Sequence, residues 1–219
     1  MVKHEICAMQ ILVIAATEHE IEPLRTQKPG VQVLITGVGV PSAIYRLQKH
    51  IPQLNDTIII QAGIAGSFDT GLPLGQTVLI ERDCFADLGI EEKGNYTPVF
   101  KTGLTNADEF PFTNGWLVNA EDNLKHANLP RLKAITVNKV SDSAVQKQQY
   151  IHEFNADVES MEGAALHYVC LQENIPFIQL RSVSNYVGER DKTKWKMKEA
   201  IENLNAALSI LINKITGQP

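Results

Sequence analysis

The sequence is poor in cysteine. Cys7, Cys84 and Cys170 are odd in number and lie at no metal-binding spacing, which argues against a disulfide scaffold or a cysteine zinc site. They read as buried free thiols in a reducing compartment. Long apolar runs are also missing: none approaches the ~20 residues of a membrane span. The opening MVKHEICAMQ has neither the apolar core nor the small-residue cleavage site of a signal peptide. A cytoplasmic protein without membrane contact is therefore expected, with residues 1–8 as an N-terminal extension, because the first strand pattern begins only at Gln10. No cluster of Lys or Arg stands out and the net charge is −5. A nucleic-acid binder usually shows a basic face, so that class is set aside.

What is present is an ordinary globular composition, 44% hydrophobic and 21% charged over 219 residues, enough for one domain with a large core. Three apolar runs rich in β-branched residues, Gln10–Ala16, Val31–Ile35 and Thr57–Gln61, suit strands buried on both faces. Each leads into small or polar residues, and helices are expected after the first two, the second from Pro41 to His50. The βαβαβ order argues for a sheet covered by helices. Gln76–Phe85 then reads as a strand with no helix before it, which points to a mixed sheet or partly closed barrel. Asp87–Gly115 reads as a long loop with short elements, Trp116–His126 as a helix, Lys133–Val140 as a strand, Met161–Glu173 as a helix and Pro176–Val183 as the last strand. The closing helix, about Lys192–Ile215, carries one apolar face of Met197, Ile201, Leu204, Leu208, Leu211 and Ile215. There is no repeat, low-complexity segment or interdomain linker. The expected fold is a single-domain, three-layer α/β/α arrangement around a twisted, mixed, partly barrel-like sheet.

Two acids and one amide stand where such a sheet gathers ligands, at the carboxyl ends of strands. Glu20 follows the first strand. Thr17 and Glu20 also form a capping-box pattern, so Glu20 reads either as a cap or as a site carboxylate. Glu162 falls in a helix's first turn, where the dipole favours an acid. Asn185 falls just past the last strand, where a turn asparagine is equally at home. Gly37, Gly39, Gly63 and Gly66 allow tight turns or close approach to a ligand. The third glycine of a dinucleotide fingerprint is missing, so no nicotinamide cofactor is read.

Four segments together resemble the nucleoside phosphorylase/nucleosidase superfamily: ILVIAATEHEIEPL, TGVGVPSA, AGIAGSFDTGLPLGQTVL, and VESMEGAALHYVC followed by RSVSN. The short chain looks like the methylthioadenosine/S-adenosylhomocysteine nucleosidases. Phe85–Gly89, Arg181–Asn185, Gly188–Asp191 and Trp195 resemble the futalosine hydrolase branch, which removes hypoxanthine from futalosine in menaquinone synthesis. The resemblance implies a nucleoside substrate, no metal, no cofactor, and a homodimer or larger homo-oligomer.

Cleaving a ribosyl N-glycosidic bond needs a base to activate water, a group to orient the sugar hydroxyls and a hydrogen-bonding group on the departing base. By resemblance these are Glu20, Glu162 and Asn185. An asparagine amide can donate to N7 or O6 of a 6-oxopurine and accept from N1–H, whereas adenosine-cleaving relatives carry aspartate there. Met161 would pack on the sugar. Gly39, Gly63 and Ile64 would flank the sugar and nucleophile, Val145 the purine, and Ser184 would hold the Asn185 loop. Asp87 is expected near the 5′ substituent, and Arg82 and Arg190 near futalosine's carboxylate. The expected loops Thr36–Ser42 and Ala62–Ser67 contain no Arg or Lys, which favours water over phosphate as nucleophile. A methylthioadenosine nucleosidase, a purine nucleoside phosphorylase and a non-catalytic nucleoside-binding protein remain the alternatives.

Overall fold

The computed structural model describes residues 9–217; the expected N-terminal extension and Cys7 lie outside them. The elements run β1 (Gln10–Ala15), α1 (Glu18–Gln27), β2 (Gln32–Ile35), α2 (Val40–His50), β3 (Thr57–Ser67), β4 (Thr77–Asp83), β5 (Gly89–Glu92), β6 (Asn95–Pro98), β7 (Leu117–Val118), α3 (Glu121–Leu124), β8 (Arg131–Thr136), α4 (Ala144–Phe154), β9 (Val158–Ser160), α5 (Gly163–Gln172), β10 (Phe177–Tyr186) and α6 (Met197–Thr216). Strands β3, β10, β4, β8 and β9 close on themselves through β9–β3 and β10–β3 pairing, making a five-stranded mixed barrel. β1 and β2 extend from it in parallel along the first half of β3.

Period-two alternation in strands buried on both faces explains the layers. Val13, Ala15, Ile58 and Ile60 face Ile21 and Leu24 of α1 and Leu204, Leu208 and Leu211 of α6. Their neighbours Leu12, Ile14 and Ile59 face Leu47 of α2 and Leu166, Val169 and Cys170 of α5. The three-layer α/β/α arrangement and barrel-like sheet are as expected.

Several boundaries differ from expectation. The Ala62–Gly66 stretch is not a loop: β3 runs through it for 11 residues, pairing β1 with its first half, β9 with its end, and β10 along most of its other edge. Trp116–His126 is not one helix. Leu117 and Val118 pair with β4, and only Glu121–Leu124 is helical. The last strand runs on to Tyr186, so Asn185 lies inside it, beside a register shift between Val183 and Asn185. Helix α4 has no counterpart among the expected elements; Ser143 caps it by accepting from the Gln146 N–H at 3.2 Å. Asp87–Gly115 contains the β5–β6 hairpin.

α5 packs closely on the barrel at Gly163. A Cβ placed there would lie 2.1 Å from Asp83 Oδ2 and 2.2 Å from Gln179 Nε2, both buried. Neither group is a free side-chain end that could swing away. Gly163→Ala is therefore expected to lower stability by about 1–3 kcal/mol. Urea melts check this; an unchanged midpoint would show that α5 slides freely on the barrel.

Candidate active site

The carboxyl ends of β1, β3 and β10 meet the starts of α1 and α5 around one cavity of about 510 Å³. Glu20, Ile64, Met161, Glu162, Ser184 and Asn185 all line it. Gly39 and Gly63 stand behind these residues and shape their contacts.

Glu20 is only 8% exposed. Its Oε2 accepts from the Thr17 N–H and hydroxyl, both at 3.0 Å, and its Oε1 accepts from the Ile64 N–H at 3.2 Å. The cap and the cavity-facing position are thus one geometry. Pro23 sits inside α1 and removes a backbone donor. At that turn the buried Asn205 of α6 reaches into the helix. Its Oδ1 accepts from Leu24 N–H at 3.1 Å and its Nδ2 donates to the Glu20 carbonyl at 2.8 Å. Asn205 thereby ties the backbone of Glu20 to α6.

Glu162 is the N-cap residue of α5 and is buried. Its Oε1 accepts from the Gly39 N–H at 2.9 Å, and its Oε2 lies 4.0 Å from Arg181 Nη1. Gly39 has φ +88°, a conformation that favours glycine. Burial raises the Glu162 carboxyl above the usual range; Arg181 and the Gly39 N–H pull it back, and the nearby Glu20 charge raises it further. Arg181 is 1% exposed and donates from Nη2 to Gln61 Oε1 at 3.0 Å. A Cβ at Gly63 would sit 2.2 Å from Arg181 Nη1, so only glycine leaves the guanidinium its place.

Asn185 stands where the register shift re-aims β10. Its Oδ1 accepts from the Ser184 hydroxyl at 2.8 Å, and its Nδ2 donates to the Tyr186 carbonyl at 3.1 Å. One amide hydrogen is left to face the cavity. The lining also includes Glu159, Arg190 and Trp195, the last supplying an indole.

Three expected residues are not brought to the cavity. Val145 lies in the first turn of α4, 66% exposed, because Ser143 starts a helix there and turns it outward. Asp87 accepts instead from the Asn138 N–H at 2.5 Å, and Asn138 Oδ1 accepts from Val40 N–H at 3.2 Å. Asp87 therefore braces the Gly39 turn from outside. Arg82 pairs with Glu81 at 3.2 Å, and its strand neighbour there is Val118. Arg190 does line the cavity, at its exposed rim.

Sequence reasoning missed Arg181, Gln61 and a buried polar group beneath α5. Asp83 Oδ1 accepts from Cys84 N–H at 2.8 Å and Thr136 Oγ1 at 2.9 Å, and its Oδ2 accepts from Gln179 Nε2 at 3.1 Å. Thr136 Oγ1 in turn accepts from Ala164 N–H at 2.7 Å, at the start of the helix that presents Glu162. A signal was available: Gln179 and Arg181 alternate within the apolar run Phe177–Val183, which is costly unless the polar side chains have partners. Burial raises Asp83 to about 6 and lowers His167 to about 4. Among the described residues His167 Nε2 and Gln179 Oε1 have no hydrogen-bond partner. Turning the Gln179 amide over pairs both, with His167 Nε2 accepting from its NH₂ and a protonated Asp83 donating to its oxygen. Among the described residues no group of three or more His, Cys, Asp or Glu is arranged to hold a metal ion. No helix there is long and apolar enough to cross a membrane.

The fold and cavity define an α/β class in which buried carboxylates gather at the carboxyl ends of barrel strands. The chain belongs to the Phosphorylase superfamily, whose family model matches residues 15–213. It is similar to the futalosine hydrolase of Thermus thermophilus, 29% identical over 193 residues that cover 86% of this chain and 84% of that one. It is also similar to the 5′-methylthioadenosine/S-adenosylhomocysteine nucleosidase of Buchnera aphidicola, 23% identical, covering 85% and 80%. Among solved structures, the futalosine hydrolase of Helicobacter pylori shares the fold with a TM-score of 0.80 at 15% identity, covering 94% of this chain and 98% of that one.

The buried acid yields a pH prediction. Asp83 titrates at about 6 in the fold against an ordinary 3.8, so the folded state binds its proton more tightly. Its contribution to stability is complete below 3.8 and is lost as pH rises through 6, a change of about 3 kcal/mol. Asp83→Asn keeps a neutral side chain that the turned Gln179 can pair. The variant should lose less stability than the parent between pH 4 and pH 7 in urea melts. Parallel pH dependences would show that Asp83 ionises without penalty.

Proposed function

We propose that the protein is a nucleosidase, needing neither cofactor nor metal, that hydrolyses the N-glycosidic bond of a 6-oxopurine nucleoside, and that futalosine is its substrate. The observation that carries this reading is the convergence of Glu20, Glu162 and Asn185 on one cavity. The similarity to futalosine hydrolases supports the substrate.

In this mechanism Glu20 takes the proton of the attacking water. Its three protein hydrogen bonds fix the carboxylate and leave acceptor capacity for that water. Glu162 accepts from the ribose hydroxyls, with Arg181 and the Gly39 N–H offsetting part of the rise in its pKa that burial causes. As the sugar gains oxocarbenium character, both carboxylates stabilise the growing positive charge. The electron pair of the glycosidic bond passes to the base, and the free Asn185 N–H stabilises it at N7 or O6. The hypoxanthine anion leaves and takes a proton from solvent, while Glu20 returns its proton to solvent; release of hypoxanthine is consistent with a place in menaquinone synthesis. The exposed Arg190 and Lys192 at the rim suit the carboxylate at futalosine's far end.

Cys84 and Cys170 are buried free thiols, which suits the cytoplasm. Val38, at the cavity mouth, is 56% exposed and Tyr45 of the following helix is 65% exposed. The family resemblance implies a homodimer, and these exposed apolar side chains are compatible with it.

Base release from futalosine should proceed without phosphate, and Glu20→Gln should lower kcat by about 10²–10⁴-fold. Phosphate-dependent turnover would overturn the hydrolase reading. In a second experiment, Asn185→Asp should shift kcat/KM away from futalosine and toward methylthioadenosine, because a carboxylate accepts from a 6-amino group and an amide N–H donates to a 6-oxo group. An unchanged substrate ratio would remove Asn185 from base recognition.

A further inference from the structure

Glu159 lines the cavity and has no role so far. It is 8% exposed, and burial raises its carboxyl to about 7 while the charges of Arg190 and Lys147 pull it down; among the described residues no hydrogen bond reaches that carboxyl. The other buried acids of this region, Glu20, Glu162 and Asp83, each accept two or more protein hydrogen bonds or ionic contacts. A buried carboxyl group without a donor is costly. One that opens onto a cavity is placed to receive a donor from whatever fills it.

Its position in the barrel says which part of the ligand that is. Gly66 of β3 pairs with Glu159 of β9 on one side and with Asn185 of β10 on the other. The three residues form one row across the barrel wall. A Cβ at Gly66 would lie 3.2 Å from Val187 Cγ2, 3.3 Å from Asn185 Nδ2 and 3.6 Å from Glu159 Cγ. The glycine thus lets the amide and the acid side chain converge on the same point of the wall, and both residues line the cavity. The sugar-directed pair lies elsewhere, with Glu20 on the Ile64 N–H and Glu162 on the Gly39 N–H.

The amide alone does not complete the reading of a 6-oxopurine. That base offers an acceptor at O6 and a donor at N1–H. Asn185 has its oxygen engaged by Ser184 and keeps one N–H for the ligand, which serves the acceptor and leaves the ring donor unmatched. We propose that Glu159 is a specificity-determining residue whose carboxylate accepts the ring N–H that a 6-oxopurine presents and a 6-aminopurine lacks. The inference rests on the nucleosidase reading above and adds to it a second base-reading residue. A 6-aminopurine turns a lone pair toward the same carboxylate, so discrimination includes repulsion as well as a lost hydrogen bond.

The test is calorimetric binding of hypoxanthine and of adenine to the parent protein, Glu159→Val and Glu159→Gln, with futalosine hydrolysis by the parent measured alongside. Valine suits the strand and removes the polar group; glutamine keeps an acceptor oxygen in place. The parent should favour hypoxanthine. Glu159→Val should cut the hypoxanthine-to-adenine affinity ratio by about 10- to 100-fold, and Glu159→Gln, whose amide keeps an acceptor but can also donate to the ring nitrogen of adenine, should give an intermediate ratio. If the parent hydrolyses futalosine but the ratio in a folded Glu159→Val protein is unchanged, this inference is wrong and the nucleosidase reading stands. Where valine prevents folding, an intermediate ratio in Glu159→Gln supports the inference and a ratio equal to the parent's with adenine binding unimproved at any pH from 5 to 8 counts against it. A parent that neither hydrolyses futalosine nor binds either base overturns both.

Discussion

Burying the Glu162 carboxylate beside a second carboxylate is the constraint on which the rest of the site depends. Glu162 is 5% exposed and near enough to Glu20 for that charge to raise its pKa. An acid in such a place protonates unless donors and positive charge compensate. Each compensating group has a structural requirement of its own. The Gly39 N–H needs a left-handed turn. The Arg181 guanidinium needs Gln61 as a partner and the missing side chain of Gly63 as space. The start of α5 needs Thr136, which Asp83 orients. A polar system extending through β3, β4, β8 and β10 is therefore devoted to holding one helix start in one place.

Strand β3 organises this system because it belongs to two arrangements at once. Its first half lies in the open part of the sheet against β1 and its end closes the barrel against β9, while β10 runs along the opposite edge. Ordinary residues in the first half, Ile58 to Ile60, pack into both helix layers. In the second half, Gly63 leaves room for the guanidinium of Arg181, and Gly66 lets Val187, Asn185 and Glu159 approach the strand closely. Glycine weakens a strand interior. Here pairing with β10 along the whole segment, and with β9 at Gly66, offsets that cost, which is why a segment with turn-like composition is extended.

That composition also explains what was and was not legible in the sequence. The apolar runs of β1, β3 and β10 and the stripe of α6 have strong periods, and they placed the layers correctly. Ala62–Gly66 reads as a loop because glycine signals a turn when partners on neighbouring strands are invisible. Helix α4 was missed because its sequence, AVQKQQYIHEF, buries only Tyr150 and carries no apolar stripe. Its capping residue, Ser143, was the available sign. Glu20, Glu162 and Asn185, singled out as strand-end and helix-start residues, line one cavity because local pattern places them at the same end of the sheet. Arg181 and Asp83 were not, because their meaning lies in contacts between β3, β4, β8, β10 and α5 that no local pattern records. Val145 and Asp87 show the converse. Position along the chain suggested the cavity, but a helix cap and a bond to Asn138 direct them elsewhere.

The alternative between cap and site residue at Glu20 dissolves once both oxygens are followed. Oε2 closes the box with Thr17 while Oε1 reaches Ile64, so the bonds that start α1 also fix the carboxylate toward the cavity. A group held by backbone donors loses little further freedom when it engages a ligand, and preorganisation of this kind lowers the cost of reaction. Pro23 at first looks contrary to that rigidity, since it lacks a backbone donor inside the helix. Asn205 adds support at that turn by bonding both the Leu24 N–H and the Glu20 carbonyl. Through this side chain α6 helps to set the position of an acid near the beginning of the chain.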